Sequence, residues 1–120
     1  MDIVTAERAL ARFAARQSGL ALDRNVLCGD GELPEAPPLV RVRFVSGRPA
    51  GTESLAELVA EVRGVFAEPE EAHAFAAAVW GALPRYGDEG FTELAAEKEV
   101  AFAAEGNCFT ATGRIKAYFA

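Results

Sequence analysis

The stretch SLAELVAEVRGVF, Ser54 to Phe66, decides how this chain folds. Leu55, Leu58, Val59, Val62 and Phe66 recur at helical spacing, and Ser54 with Glu57 has the form of a capping box. Taken as a strand, the same residues put Ala60, Val62, Gly64 and Phe66 inward and Glu61 and Arg63 outward, a less regular pattern. Periodicity alone therefore predicts a helix here.

Upstream, Leu39 to Val45 alternates Val40, Val42 and Phe44 with Leu39, Arg41, Arg43 and Val45, the period-two signature of a half-buried strand. Ser46, Gly47, Arg48, Pro49, Ala50 and Gly51 then break it, and a turn is expected there. The segment before that strand, Leu22 to Pro38, is rich in turn formers (Asp23, Asn25, Gly29, Asp30, Gly31, Pro34, Pro37 and Pro38) and predicts a long connecting loop. Loops beyond about twelve residues tend to carry function, so Leu22 to Pro38 and Ser46 to Thr52 are candidate contact loops. At the amino terminus, Ile3, Ala6, Leu10, Phe13 and Ala14 predict an amphipathic helix over Asp2 to Ser18, stopped by Gly19. Arg8, Arg12 and Arg16 form a stripe on its other side, either a solvated face or a contact with an acidic neighbour.

Downstream, Pro69, Glu70 and Glu71 suit a helix start, where proline is tolerated and acids complement the helix dipole. Ala72, Phe75, Ala76, Val79, Trp80 and Leu83 continue as an apolar stripe that Pro84 should terminate. After a turn over Tyr86 to Gly90, Thr92 to Glu105 alternates Leu94, Ala96, Val100, Phe102 and Ala104 against Glu93, Glu97, Glu99 and Glu105, with Lys98 interrupting the apolar side. Phe109 to Phe119 alternates more cleanly, and the two segments are expected to form a hairpin at Gly106 and Asn107. Acids on its first strand would then face Arg114 and Lys116 on the second.

With 120 residues, 51% hydrophobic and 25% charged, the chain has the composition of one folded α+β domain, residues 1–120. Its net charge of -6 disfavours a nucleic-acid-binding surface. The amino terminus lacks a signal-length apolar run and no segment is long enough to span a membrane, so a cytoplasmic protein is expected. Cys28 and Cys108 lie far apart with no Cys-x-x-Cys, and free thiols are expected of them.

Chemistry is sparse. The one histidine, His73, falls one position off its helix stripe and should point to solvent, so no Cys or Ser with a base and orienting group is apparent. Asp23 with Asn25 opens like a calcium loop but Leu27 and Cys28 occupy positions that need a ligand and a glycine. Gly29, Asp30 and Gly31 lack the third glycine, replaced by Pro34, and precede a strand where a phosphate loop needs a helix. Glu68, Glu70 and Glu71 are accounted for by the helix start, and Trp80 reads as a core residue or an interface anchor. No catalytic residue, cofactor or metal is expected.

The order of pieces is informative: an amino-terminal helix, Gly31-Glu32-Leu33-Pro34, a strand, the turn Gly47 to Gly51, Val62-Arg63-Gly64-Val65-Phe66, a helix begun by Glu70, Glu71 and Ala72, and last strands with Gly113 and Arg114. In this the chain resembles the tail terminator proteins of long-tailed phages, also described as minor capsid or head-to-tail joining proteins. The resemblance implies that the segment ending in Arg63-Gly64 is a central strand, overriding the helical periodicity. It implies a mixed, mainly antiparallel sheet of about four strands flanked by an N-terminal and a central helix. It further implies a virion protein that forms a homo-oligomer, a hexameric ring, against tail tube and head connector proteins, without catalysis. Complementary patches for such a ring are expected from Arg8, Arg12 and Arg16 on one side and Glu93, Glu97 and Glu99 on the other, with Arg48 a further candidate contact. The alternative is a small α+β protein-binding module of regulatory or immunity type.

Overall fold

The computed structural model describes residues 1–29, 36–83 and 88–120. Helix α1, Ile3–Ser18, starts where the Asp2 carboxylate accepts the Thr5 backbone N–H at 2.7 Å and stops where Gly19 adopts φ 76°, its N–H donating to Ala15 O at 2.9 Å. Ala6, Ala9, Leu10, Phe13 and Ala14 are fully buried on its inner face. Four of these five being no larger than leucine lets the helix lie close to what it covers. Helix α2, Pro69–Trp80, carries Glu70 and Glu71 in its first turn and buries Ala72, Phe75, Ala76 and Val79. It ends before Leu83, which is half-buried beyond it, and Pro84 lies outside the described residues.

Six strands form where about four are expected: β1 Val26–Cys28, β2 Leu39–Arg48, β3 Ala56–Phe66, β4 Glu93–Ala96, β5 Ala101–Glu105 and β6 Cys108–Phe119. Two departures account for the excess. Leu22 to Pro38 is not a loop throughout, because Val26–Cys28 pairs in parallel with Val40–Val42. Thr92 to Glu105 is not one strand either. It breaks at the exposed Glu97, Lys98 and Glu99, so that β4 and β5 pair with successive parts of β6 along one margin. The order is β1-β2-β3-β6-β4, with β5 also on β6, and all pairs except β1·β2 are antiparallel. The turn at Gly106 and Asn107 joins β5 to β6 as expected, whereas β2 runs on past the expected break at Ser46, with a register shift between Phe44 and Ser46.

Ser54 to Phe66 is therefore strand from Ala56 on, the central one, paired along its length with β6 and with most of β2. The capping box does not form. Ser54 instead closes the β2–β3 turn, its Oγ accepting the Gly51 N–H at 3.2 Å. The helical spacing arose because an apolar residue, Val59, stands on the face opposite Leu58, among Glu57, Glu61 and Arg63. Leu58, Val62 and Phe66 face the helices, while Val59, on the opposite face, is still only 5% exposed.

Both helices cover one face of the sheet. There Val40, Val42, Leu58, Ala60, Val62, Ile115, Ala117 and Phe119 pack against Leu10, Phe13, Phe75 and Val79 in one core. Two glycines on that face, Gly64 and Gly113, sit under aromatic rings. A Cβ on Gly64 would lie 2.5 Å from the Phe66 ring and 3.2 Å from Phe75, and one on Gly113 would lie 2.7 Å from Trp80. Here the strands give up side chains so that α2 can approach. Gly64→Ala therefore carries a sign that distinguishes strand from helix. In a helix it would stabilise by about 1 kcal/mol. In this strand, beneath two buried rings, it is expected to destabilise by about 1–3 kcal/mol in urea unfolding.

Candidate interaction surface

The face turned away from the helices is open, and the register fixes what it displays. Three rows cross the central strands: Arg41, Arg63 and Thr112; Arg43, Glu61 and Arg114; Ser46, Val59 and Lys116. A further row carries Arg48, Glu57, Tyr118 and Glu93. Two glutamates of β3, Glu61 and Glu57, pair with cations of these rows. Arg43 meets Glu61 at 3.5 Å, and Glu57 lies between Arg48 at 3.1 Å and Lys116 at 3.9 Å. The first strand of the hairpin was expected to provide such acids; of its own, Glu105 pairs with Arg63 across the sheet. A shallow hollow over Leu39, Arg41, Arg43, Glu61, Arg63 and Val65 marks the most basic part. Pairs this exposed contribute at most about 1 kcal/mol each, so the face is a display of charge more than a source of stability.

The arginine stripe of α1 is engaged inside the chain. Arg8 pairs with Asp23, while Arg12 Nε donates to Glu89 Oε2 at 2.9 Å and Arg16 meets the other oxygen of the same carboxylate. Glu89 has φ 53° and a side chain only 11% exposed, so the two guanidiniums hold a left-handed turn, Asp88–Gly90, against the helix. The hydrogen bonds from Arg8 hold the Asp23 carboxyl below its usual 3.8 and push the guanidinium's own value up. A depressed carboxyl stabilises the fold above the unfolded-state value, and that contribution is lost as pH falls through the folded one. Asp23→Asn is accordingly expected to lose less stability than the parent between about pH 5 and pH 2. Urea midpoints taken across that range check this, and equal slopes would contradict it.

The other expected contact residues scatter. Arg48 stands near the end of the β2–β3 hairpin, where Phe44 and Leu55 are exposed. Glu93 is half-buried opposite Tyr118, and Glu97 and Glu99 project from the bend between β4 and β5, beside Trp80. The structure thus brings neither Arg8, Arg12 and Arg16 nor Arg48 together with Glu97 and Glu99. Arg41, Arg43, Arg63 and Arg114 were each legible as outward residues of strands. Their assembly into one patch depended on β3 being the strand between them.

His73 is exposed, as expected, but stacks on Phe102 with ring centroids 3.9 Å apart. With Pro69, Ala72, Ala103 and Phe109 the pair lines an apolar hollow beside β5. Residues Ala101 to Glu105 are all exposed, and among the described residues β5 pairs with β6 on one side and with no strand on the other. The opposite margin is blunted: the Glu7 carboxylate accepts the Phe44 N–H at 2.7 Å, and Val26 spends its N–H and carbonyl on Ala21 and Asp23. Trp80 is half-buried over Gly113, and its Nε1 is buried without a hydrogen-bond acceptor among the described residues.

Cys28 and Cys108 are free thiols, and burial, with the nearby Glu7 carboxylate, raises the Cys28 value. Asp23 and Asn25 do not form a calcium loop: Asp23 is bound to Arg8, and Asn25 donates to Pro38 O at 3.1 Å. Among the described residues no group of three His, Cys, Asp or Glu side chains comes together as a metal site, and no helix is long and apolar enough to cross a membrane. Asp30, Gly31 and Pro34 lie outside the described residues. Neither a scan against models of known protein families nor a search of curated proteins finds a match to this chain.

Proposed function

We propose that the chain is a structural virion protein of a phage or prophage, of the tail terminator or minor capsid type. In this reading copies join into a ring, hexameric in the resembled family, at the joint between head and tail, ending growth of the tail tube and contacting tube and head connector proteins without catalysis. The observation that carries the reading is the one-sided sheet. Two helices cover one face, while the other carries crossed rows of arginine and glutamate, an arrangement suited to burial against another protein surface. The order of elements supports it too, since the segment ending in Arg63-Gly64 is the central strand that the resemblance implies.

Electron microscopy of the purified protein tests this. The expected result is class averages of closed rings with sixfold symmetry and a central opening; isolated particles at every concentration would overturn it. The apolar edge of β5, unpaired among the described residues, favours a second reading, a protein-binding module that takes up an extended strand of a partner. On that reading the same preparation stays monomeric.

A further inference from the structure

We propose that the edge of β5 takes up an extended segment of a different protein, antiparallel to β5, with one large apolar side chain beside Ala104 and lysine or arginine five to seven residues after it. This rests on the strand-uptake reading, names the chemistry of the strand, and requires no ring. The first argument is the backbone. On this side of β6, Arg114 O accepts the Glu97 N–H at 2.9 Å. Hydrogen-bonded residues alternate along an antiparallel ladder, so Thr112, Thr110 and Cys108 bond β5 through their partners Ala101, Ala103 and Glu105. The N–H and C=O of Phe102 and Ala104 therefore point outward, to the side where no described strand pairs. A strand laid there bonds both residues through the main chain. The other margin, where Glu7 takes the Phe44 N–H, offers no such row.

The second argument is room. Phe102 is 44% exposed and stacks on His73 of α2. Next to them the small Ala104, with Pro69 and Ala72, leaves an open hollow of about 190 Å³. A cavity of about 150 Å³ holds a benzene ring, so the hollow receives one leucine-sized or aromatic side chain, which also covers Phe102. Residues directly opposite each other across a strand pair share a face, and this places the incoming side chain opposite Ala104.

The third argument is charge. Just before β5 the exposed bend Glu97-Lys98-Glu99 has two acids to one base, and among the described residues neither carboxylate is in an ion pair. At the other end of the strand Glu105 is already held by Arg63. The unmet negative charge thus lies at one end only, and it sets the direction of the guest. Antiparallel pairing is the more stable kind. Counted that way from the residue opposite Ala104, the levels of Glu99 and Glu97 are reached five and seven residues later. A second copy fits the edge less well. In the two-fold pairing that sets Phe102 against Phe102, Glu99 of one copy comes opposite Glu105 of the other, and two chains at -6 repel.

Fluorescence anisotropy of labelled peptides with the full-length protein, at low salt, tests this. The probe is Thr-Phe-Thr-Val-Thr-Val-Lys-Thr-Lys. It is compared with the same peptide carrying glutamate for both lysines, and with the same residues in reverse order, which keeps the net charge. The probe is expected to bind at least about tenfold more tightly than either. Glu97→Lys with Glu99→Lys is expected to reverse the preference between the lysine and glutamate peptides. Ala104→Pro removes an outward N–H while sparing the bonds to β6, and is expected to abolish binding of the probe. If that variant fails to fold, the bend variant, altered only at exposed residues, still decides. Peptides that bind alike, and are lost together in Ala104→Pro, would overturn the proposed chemistry and leave the strand-uptake reading standing. No binding of any of the three would overturn both. A solution mass that falls on Ala104→Pro, with no peptide bound by the parent, would overturn the proposal and give the edge to a second copy.

Discussion

Phe13→Ala is expected to destabilise the protein by about 3–5 kcal/mol, the range for removing a fully buried ring from a core that cannot collapse around the gap. Phe13 is wholly buried on the inner face of α1, which packs on β1, β2, β3 and α2. The alanines around it, Ala6, Ala9 and Ala14, are too small to swing into the space. Domains of this size have a total stability of about 5–15 kcal/mol, so the loss is a large share of it. Urea unfolding followed by circular dichroism measures it. Val4→Ala, on the same helix but with Val4 77% exposed, is the control and should change stability by no more than about 0.5 kcal/mol. Equal effects at the two positions would mean that α1 is not docked as described.

Val62→Asp should have the largest effect of all. Val62 is fully buried in the middle of β3, with Val42 on one side and Gly113 on the other, facing the helices. A carboxylate there has no cation within the core, and an uncompensated buried charge costs at least about 3–5 kcal/mol. The variant is expected to show no cooperative unfolding transition at neutral pH. Burial raises the folded-state pKa of such an aspartate above its unfolded value, so the penalty eases as pH falls and the carboxyl takes up its proton. Partial recovery of folded signal near pH 4–5 is the accompanying expectation. Arg63→Asp, one residue on and facing the open side, should stay folded at every pH in that range. If both variants melt like the parent, the alternation assigned to β3 is wrong.

The parts of the fold legible in the sequence were those fixed by local chemistry. Asp2, Gly19 and Pro69 mark helix ends through side-chain and backbone geometry confined to a few residues, and each does so in the structure. The alternation of Phe109 to Phe119 gave β6 its two faces because β6 lies against helices on one side only. Val59 and Leu58 misled periodicity, since Val59 is an apolar residue on the open face, between Glu57 and Glu61, and beside Leu58 it imitates helical spacing. Val26–Cys28 was hidden because three residues carry too little pattern, and its partner, Val40–Val42, is fourteen residues further on.

The open charged face was legible residue by residue but not as a surface. Arg41, Arg43 and Arg114 alternate correctly with their apolar neighbours, yet only the register of β2, β3 and β6 sets them side by side. The α1 stripe had the stronger sequence signal, four-residue spacing on one helix, and it turned out to bind Asp23 and Glu89. Spacing reports which residues share a face. It does not report what that face meets.

The central claim is that this chain works by joining copies of itself, and its most direct test is the molar mass in solution by light scattering across a wide range of protein concentrations. The account predicts a mass that rises with concentration to a plateau at six protomers of 12.7 kDa. A mass fixed at one protomer throughout would contradict it.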